Sequence, residues 1–315
     1  MVVDICRRFF KSEISNVIPL GGGHINDTYL VETEEGRYIC QRISRDMDTA
    51  KLEYNYSLYS KACDEYGLAY PTLLKTDKGD FFAVDPSGDS WRVYPMIDGN
   101  ILTPQVREEV LKAFGAGLAK LHEVLGTINE KPKANYPHLH DLNYYYDLYK
   151  KALGSSNLCE EKRDRALEEL IETRYAEMPY YIAEPRFVIH GDTKLANIIF
   201  EDGQVKGFID FDTIMMGSAA EDVADCIRSA CVKDGVLDKR GAAHLTEGYL
   251  SAAPKDMADE VRENLSAAVG KICFELGLRY YTDVLSEGTT FTEKYPGYRI
   301  DNARNLISLQ NCNVL

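Results

Sequence analysis

The sequence predicts an α+β chain in two lobes, β-rich at the N-terminus and mainly helical at the C-terminus. Three observations predict it. Apolar residues of the first ~95 positions come mostly in short runs punctuated by Gly, Ser and Asp turn signals, interrupted by one substantial helical stretch. From Thr103-Pro104 onward they recur at helical spacing. One segment breaks that second pattern: "FVIHGDTKLANIIF", Phe187 to Phe200, reads as two apolar strands around a polar bend. Residues 1–97 are expected to form one lobe and residues 98–315 the other.

The elements follow in order. Val2, Ile5, Cys6, Phe9 and Phe10 suit a short opening helix. "NVIPL" leads into "GGGHIND", and "TYLVETEEGRYICQRI" reads as a hairpin turning at Glu34-Glu35-Gly36. Leu52, Tyr56, Tyr59 and Cys63 share one face of a helix. "YPTLLKT", "DFFAV" and "SWRVYPM" read as further strands, with turns at Lys78-Gly79 and Ser87-Gly88-Asp89. After "IDGN", Thr103-Pro104 is a helix start, and Val106, Val110, Phe114, Leu118, Leu121 and Leu125 continue it. A loop over 127–140 is followed by helix to about 180, the embedded strand pair, and helices to the end.

Composition narrows the function. With 315 residues and 45% hydrophobic content the chain can bury a core. A net charge of −14, with no Lys/Arg block longer than two, argues against a nucleic-acid partner. Eight scattered cysteines without Cys-x-x-Cys fit reduced thiols rather than zinc or disulfides. No apolar run reaches the ~18 residues of a membrane span, and the N-terminus has the wrong order for a signal peptide. A cytoplasmic protein with no membrane partner is expected.

The polar bend carries chemistry. His190, Asp192 and Asn197 have the spacing H-x-D-x-x-x-x-N, that of a protein-kinase catalytic loop. There the aspartate orients the attacking hydroxyl, and the asparagine oxygen ligates Mg²⁺, a hard cation that prefers oxygen. Asp210, eighteen residues after Asp192 in "GFIDFDTIMMG", is placed to bring a second oxygen ligand. Together these point to a bilobal protein-kinase-like fold using ATP and Mg²⁺. Gly21, Gly22 and Gly23 are candidates to close backbone amides on phosphate. On the strand "RYICQRI", Arg42 stands as the phosphate cation with Gln41 beside it; a one-residue slip exchanges their faces. Glu53 is its candidate helix partner. Pro95, through its carbonyl, and Ile97, through its N–H, are candidates to hold adenine. Lys194 is a candidate to neutralise γ-phosphate charge. His122, on an apolar helix face, reads as a core histidine. His138 and His140 show no metal partner.

These motifs resemble the aminoglycoside-phosphotransferase-like kinases, a group that includes choline and homoserine kinases. "VIHGDTKLANIIF" is similar to their catalytic loop, and "GFIDFDTIMMGSAAEDVAD" to the following aspartate segment and helix. In that helix the resemblance gives Asp222 a supporting role. A closer resemblance, carried by "GGGHINDTYLV", "YICQRIS", "HGDTKLAN", "IDFDTIMMG", "ELGLRYYTDVL" and "YPGYRIDNARN", is to N-acetylhexosamine 1-kinases. It implies MgATP as donor and a sugar acceptor phosphorylated at its anomeric hydroxyl. Candidate acceptor contacts are His24, Asn26, Asp212, Arg279, Tyr280 and Tyr281. Alternatives are a kinase for choline, another amino alcohol or an aminoglycoside, or a nucleotide-binding module without catalysis.

Overall fold

A computed structural model describes residues 1–20, 27–102, 108–158, 163–178, 184–309 and 313–314. The N-terminal region is an antiparallel sheet. Its strands β1 (Ile14–Leu20), β2 (Asp27–Thr33), β3 (Gly36–Arg42), β4 (Ala83–Val84) and β5 (Ser90–Pro95) lie in the order β1-β2-β3-β5-β4. The β2–β3 turn forms where expected, and Thr33 Oγ1 accepts the Glu35 and Gly36 amides at 3.2 Å. Alternation along β3 sends its side chains to two different places. Cys40 joins Trp91, Val93 and residues of α1 (Val2–Cys6) in one cluster. Ile39 joins Tyr94 and the Tyr56 and Tyr59 rings of α2 (Thr49–Tyr66) in the main core. One sheet face thus lies under α1 and the other against α2. Asp48 caps α2 by accepting the Ala50 amide at 2.9 Å, and Gly67, at φ 65°, ends it in the left-handed region.

"YPTLLKT" is not a strand. Pro71 lacks an amide to donate, and Leu74, whose N–H reaches the Val93 carbonyl at 2.8 Å, is the one residue there bonded to β5 through its backbone. "DFFAV" contributes only the two residues of β4.

The C-terminal region is helical: α3 (Glu108–Leu125), α4 (Leu142–Ser155), α5 (Arg165–Glu177), α6 (Ala219–Cys231), α7 (Lys239–Ala252), α8 (Lys255–Leu285) and α9 (Tyr298–Ile307). The Thr103-Pro104 start signal lies outside the described residues. Helices α3 and α7 meet backbone to backbone. A Cβ on Gly115 would stand 1.9 Å from the Leu245 carbonyl oxygen, and one on Gly248 2.0 Å from that of Lys112. Short strands β6 (Phe187–Ile189), β7 (Ile198–Glu201), β8 (Gln204–Phe208) and β9 (Met215–Gly217) are embedded here, and β10 (Val232–Lys233) pairs with β11 (Val236–Leu237). The two strands flanking the polar bend do not pair with each other. β6 pairs with β9 and β7 with β8, so the β7–β8 hairpin is nested inside the β6–β9 pair and the bend joins the two.

No described helix is long and apolar enough to cross a membrane. Cys6, Cys40, Cys63, Cys226, Cys231 and Cys273 are free and buried.

Candidate active site

The bend between β6 and β7 is held from below by one carboxylate. Asp222, in the first turn of α6, accepts the His190 amide on Oδ2 at 2.8 Å and the Gly191 amide on Oδ1 at 2.9 Å. Thr193 Oγ1 donates to the Asp222 carbonyl at 2.6 Å. His122 of α3 reaches Oδ2 through Nε2 at 3.0 Å and Tyr249 Oη through Nδ1 at 2.7 Å, a fully bonded core histidine. Burial alone would raise the Asp222 pKa, but His122, His190 and the amides outweigh it and hold the group below the usual carboxylate value. Gly191 has φ 83°, and a Cβ there would meet the Thr213 carbonyl oxygen at 2.7 Å, so the bend needs glycine.

Above this support the predicted polar residues converge. Asn197 donates through Nδ2 to the Asp192 carbonyl at 2.8 Å and to Asp192 Oδ2 at 3.1 Å. Lys194 Nζ lies 2.5 Å from the same Oδ2. Burial opposes ionisation of Asp192, yet Lys194 and His190 bring its pKa net below the ordinary value. Ile209 is held through both backbone groups: its N–H donates to the Asn197 carbonyl at 2.9 Å, and its carbonyl accepts from His190 Nε2 at 3.0 Å. Asp210, the next residue, is thereby tied to the polar bend and lies in the left-handed region at φ 67°. Burial and then Asp212 push Asp210 up to about 6.

The residues fit a divalent cation. Among the described residues no three His, Cys, Asp or Glu side chains form a ready-made cage. Asp210 is a carboxyl crowded by neighbouring acids, and Asn197 bonds through its donor atom, which leaves Oδ1 to a ligand. Two protein oxygens suit a cation completed by phosphate and water, as Mg²⁺ usually is.

On the sheet side the placement departs from the sequence expectations. Arg42 shares its face with Cys40 and is paired with Asp27 and, at 3.4 Å, with Asp89. The α2-facing position is occupied by Gln41, opposite Arg92 in the β3–β5 register. Glu53 is exposed on α2. The cation on the α2-facing side of the sheet is Arg92, which reaches both oxygens of Asp212, Nη1 to Oδ1 at 2.5 Å and Nη2 to Oδ2 at 2.9 Å. Asp212 is thereby committed to the sheet rather than open to an acceptor. Sequence reasoning passed over Arg92, although a charge between Trp91 and Val93 in an apolar strand was a signal. At the connector the Met96 N–H donates to the Arg37 carbonyl at 2.9 Å. Successive strand residues alternate their peptide groups, so that of Pro95, the last residue of β5, turns away from β3.

Gly21, Gly22, Gly23, His24 and Asn26 lie outside the described residues. Of the remaining acceptor candidates, Tyr281 is core: fully buried, its hydroxyl donates to Glu168 at 2.9 Å and accepts the Asp164 amide at 3.1 Å. Tyr280 is buried against Phe291, ring centroids 4.0 Å apart. Arg279 is half-buried, with its guanidinium over Tyr145 at 5.1 Å. It does not pair with Asp283, whose partner is Arg299 at 2.8 Å.

The structure adds polar groups that the motifs did not mark. His140 donates through Nε2–H to the Gly191 carbonyl, 3.0 Å away, and its Nδ1 is 3.7 Å from Glu275 Oε1, an ion-pair distance rather than a hydrogen bond. Burial works against a charged His140, but Glu275 prevails and raises it to about 9. Asp225 of α6 accepts from Arg228 through Oδ1 at 2.8 Å. His140 Nδ1, Asp225 Oδ2 and Glu275 Oε2 are buried without a protein hydrogen-bond partner.

The model of the phosphotransferase enzyme family APH matches residues 16–255. The chain is similar to the homoserine kinase of Polaromonas naphthalenivorans (strain CJ2), 26% identical over 247 residues, which are 77% of this chain and 74% of the relative. It is similar to the homoserine kinase of Brucella anthropi, 25% identical over 272 residues, 86% of this chain and 81% of the relative. Among solved structures, amicoumacin kinase hAmiN has a TM-score of 0.66 at 13% identity, covering 99% of this chain and 94% of that one. Choline kinase LicA from Streptococcus pneumoniae has a TM-score of 0.61 at 15% identity, covering 94% and 92%. These likenesses establish a protein-kinase-like fold. With the family match spanning most of its length, from β1 to the start of α8, the chain belongs to the phosphotransferase enzyme family.

Proposed function

We propose that the protein transfers the γ-phosphoryl group of ATP to a hydroxyl of a small sugar, the anomeric hydroxyl of an N-acetylhexosamine. The observation that carries this reading lies about His140, which meets the bend at the Gly191 carbonyl. Buried His140, Asp225 and Glu275 each keep a polar atom without a protein hydrogen-bond partner, and half-buried Arg279 pairs with no acid among the described residues. A neutral polyol supplies donors and acceptors to satisfy such atoms, and leaving them unpaired is costly. The Arg279 guanidinium already covers the Tyr145 ring, which argues against an aromatic cage for a choline-like cation.

Asp192 serves as the group that orients and receives the acceptor proton; Asn197 and Lys194 fix its carboxylate for that task. Lys194 then turns to the transferring phosphoryl group. Asn197 and Asp210 hold Mg²⁺, which when bound neutralises charge on the phosphate oxygens. The amicoumacin kinase was solved with AMP-PNP and Ca²⁺, which supports a nucleotide and a divalent cation here. Pro95 and Ile97 offer backbone groups to adenine.

A second reading follows from the curated relatives. Homoserine carries an ammonium that Asp225 or Glu275 would receive and a carboxylate suited to Arg279. A coupled ADP-release assay with Mg²⁺ separates the readings across N-acetylglucosamine, N-acetylgalactosamine, galactose, homoserine and choline. Turnover with an N-acetylhexosamine well above the others supports the first. Turnover with homoserine alone overturns it. Tight ATP binding without turnover of any acceptor identifies a non-catalytic module.

A further inference from the structure

In protein kinases a lysine on the third strand pairs with a glutamate on the first long helix, and that pair must form together with the metal-binding aspartate. Here both partners are missing from their places. Gln41 occupies the α2-facing position of β3, and Glu53 is exposed. Arg92 of β5 stands directly opposite Gln41 and donates through Nε to its Oε1 at 2.9 Å, while Gln41 Nε2 donates to Thr28 Oγ1 of β2 at 3.1 Å. The same guanidinium grips Asp212 with both terminal nitrogens, and both side chains are nearly fully buried. One arginine thus ties three strands of the sheet to the segment two residues beyond Asp210. Beside it, Tyr59 of α2 stacks on Phe211, centroids 4.4 Å apart and planes 13° from parallel.

We propose that Arg92 and Asp212 form an inter-lobe latch that positions Asp210 for a divalent cation, in place of the absent lysine–glutamate pair. The inference rests on the nucleotide- and metal-binding reading above, not on the identity of the acceptor. Arg92 is a positioning residue: its Nε and both terminal nitrogens are committed to Gln41 and Asp212, so it acts through Asp212 on the left-handed Asp210. A bidentate guanidinium suits this role better than an ammonium, because its planar fork fixes the carboxylate plane. The Phe211 ring, held between α2 and the bend, keeps the intervening residue from rotating.

The test measures ADP affinity of the full chain by calorimetry, with Mg²⁺ and with EDTA, for wild type, Arg92→Gln, Arg92→Lys, Asp212→Asn and the double variant Arg92→Gln/Asp212→Asn. Arg92→Gln should lose about 10–100-fold of the Mg²⁺-dependent gain in affinity, the range for partners that orient a metal ligand, and keep its affinity in EDTA. Arg92→Lys should recover part of the gain, and the double variant should lose no more than Arg92→Gln. Melting without ligand is recorded for each variant, since a merely structural pair lowers the melting temperature and leaves the Mg²⁺ gain intact. A wild-type Mg²⁺ gain in folded Arg92→Gln overturns the latch. If Arg92→Gln does not fold, a wild-type gain in both Arg92→Lys and Asp212→Asn overturns it. Absence of any Mg²⁺ gain in the wild type overturns the metal-binding reading, and the latch with it.

Discussion

Asp222 and His122 face each other across the core, Oδ2 to Nε2 at 3.0 Å, with neither side chain exposed. The carboxylate holds the polar bend with one oxygen for each of two amides. Asparagine has a single acceptor oxygen. Asp222→Asn therefore sets an NH₂ group against one of those amides.

The expected cost of Asp222→Asn is about 1–3 kcal/mol of stability, the penalty for an unsatisfied buried donor. Denaturant unfolding measures it, and kcat should fall with it as the bend loosens. The depressed Asp222 pKa also sets an acid limit. Its contribution is present above the unfolded carboxylate pKa and is lost as pH falls through the lower folded value. Wild type should lose stability over that acid range, and Asp222→Asn should lose less. Equal acid profiles would show that Asp222 carries no such linkage.

Asp192→Asn keeps the shape of the bend and removes the proposed proton acceptor. The turnover rate should drop by about 10²–10⁴, the usual worth of a positioned base. ATP binding should be retained, since Asn197 and Asp210 are untouched. Single-turnover kinetics beside nucleotide titration check both halves; most of kcat surviving would remove Asp192 from that role.

Arg42→Lys tests the face of β3. Arg42 pairs with Asp27 and Asp89, and Asp89 has a second partner in Arg45 at 2.5 Å. Its side chain is 41% exposed, so the change should cost under about 1 kcal/mol of stability. The KM for ATP should stay at the wild-type value. A marked rise would return Arg42 to the phosphates.

Arg279→Ala should raise the acceptor KM and spare that of ATP. Because Asp283 pairs with Arg299 instead, no ion pair with Asp283 is broken. The expected loss in acceptor kcat/KM is about 1.5–3 kcal/mol, the range for a hydrogen bond to a charged group. Unchanged acceptor saturation, with the melting temperature lowered, would make Arg279 a packing residue on Tyr145.

His140 gives the alkaline counterpart. Its pKa, raised to about 9 by Glu275, exceeds the ordinary histidine value near 6.5. Stability from the charged pair is fully present below about 6.5 and is lost as pH rises through about 9. Glu275→Gln should flatten that decline in a series of melts from pH 6 to 10. An unaltered slope would show that the decline has another source.

The sequence by itself marked the polar bend between β6 and β7. His190, Asp192, Asn197 and Asp210 were legible as a group because phosphoryl transfer of the proposed kind calls for these residue types at a spacing that a short loop and a following strand impose, and the apolar flanks marked their setting. The two-lobe order was legible from periodicity, because a change from strand runs to helical spacing is a local property. Only tertiary structure decided what faced what. β6 and β7 looked like one hairpin, yet each found a partner farther along the chain, since pairing is chosen by the whole core and not by adjacency. The face of β3 depended on a register of one residue, set when α1 buried Cys40 and α2 covered Ile39. Arg92, His140, Asp225 and Glu275 carry no motif: their roles arise where elements distant in sequence meet. Tyr280 and Tyr281 show the converse, since helical spacing could not say which neighbours would close over them, and packing against Phe291 and Glu168 made both of them core.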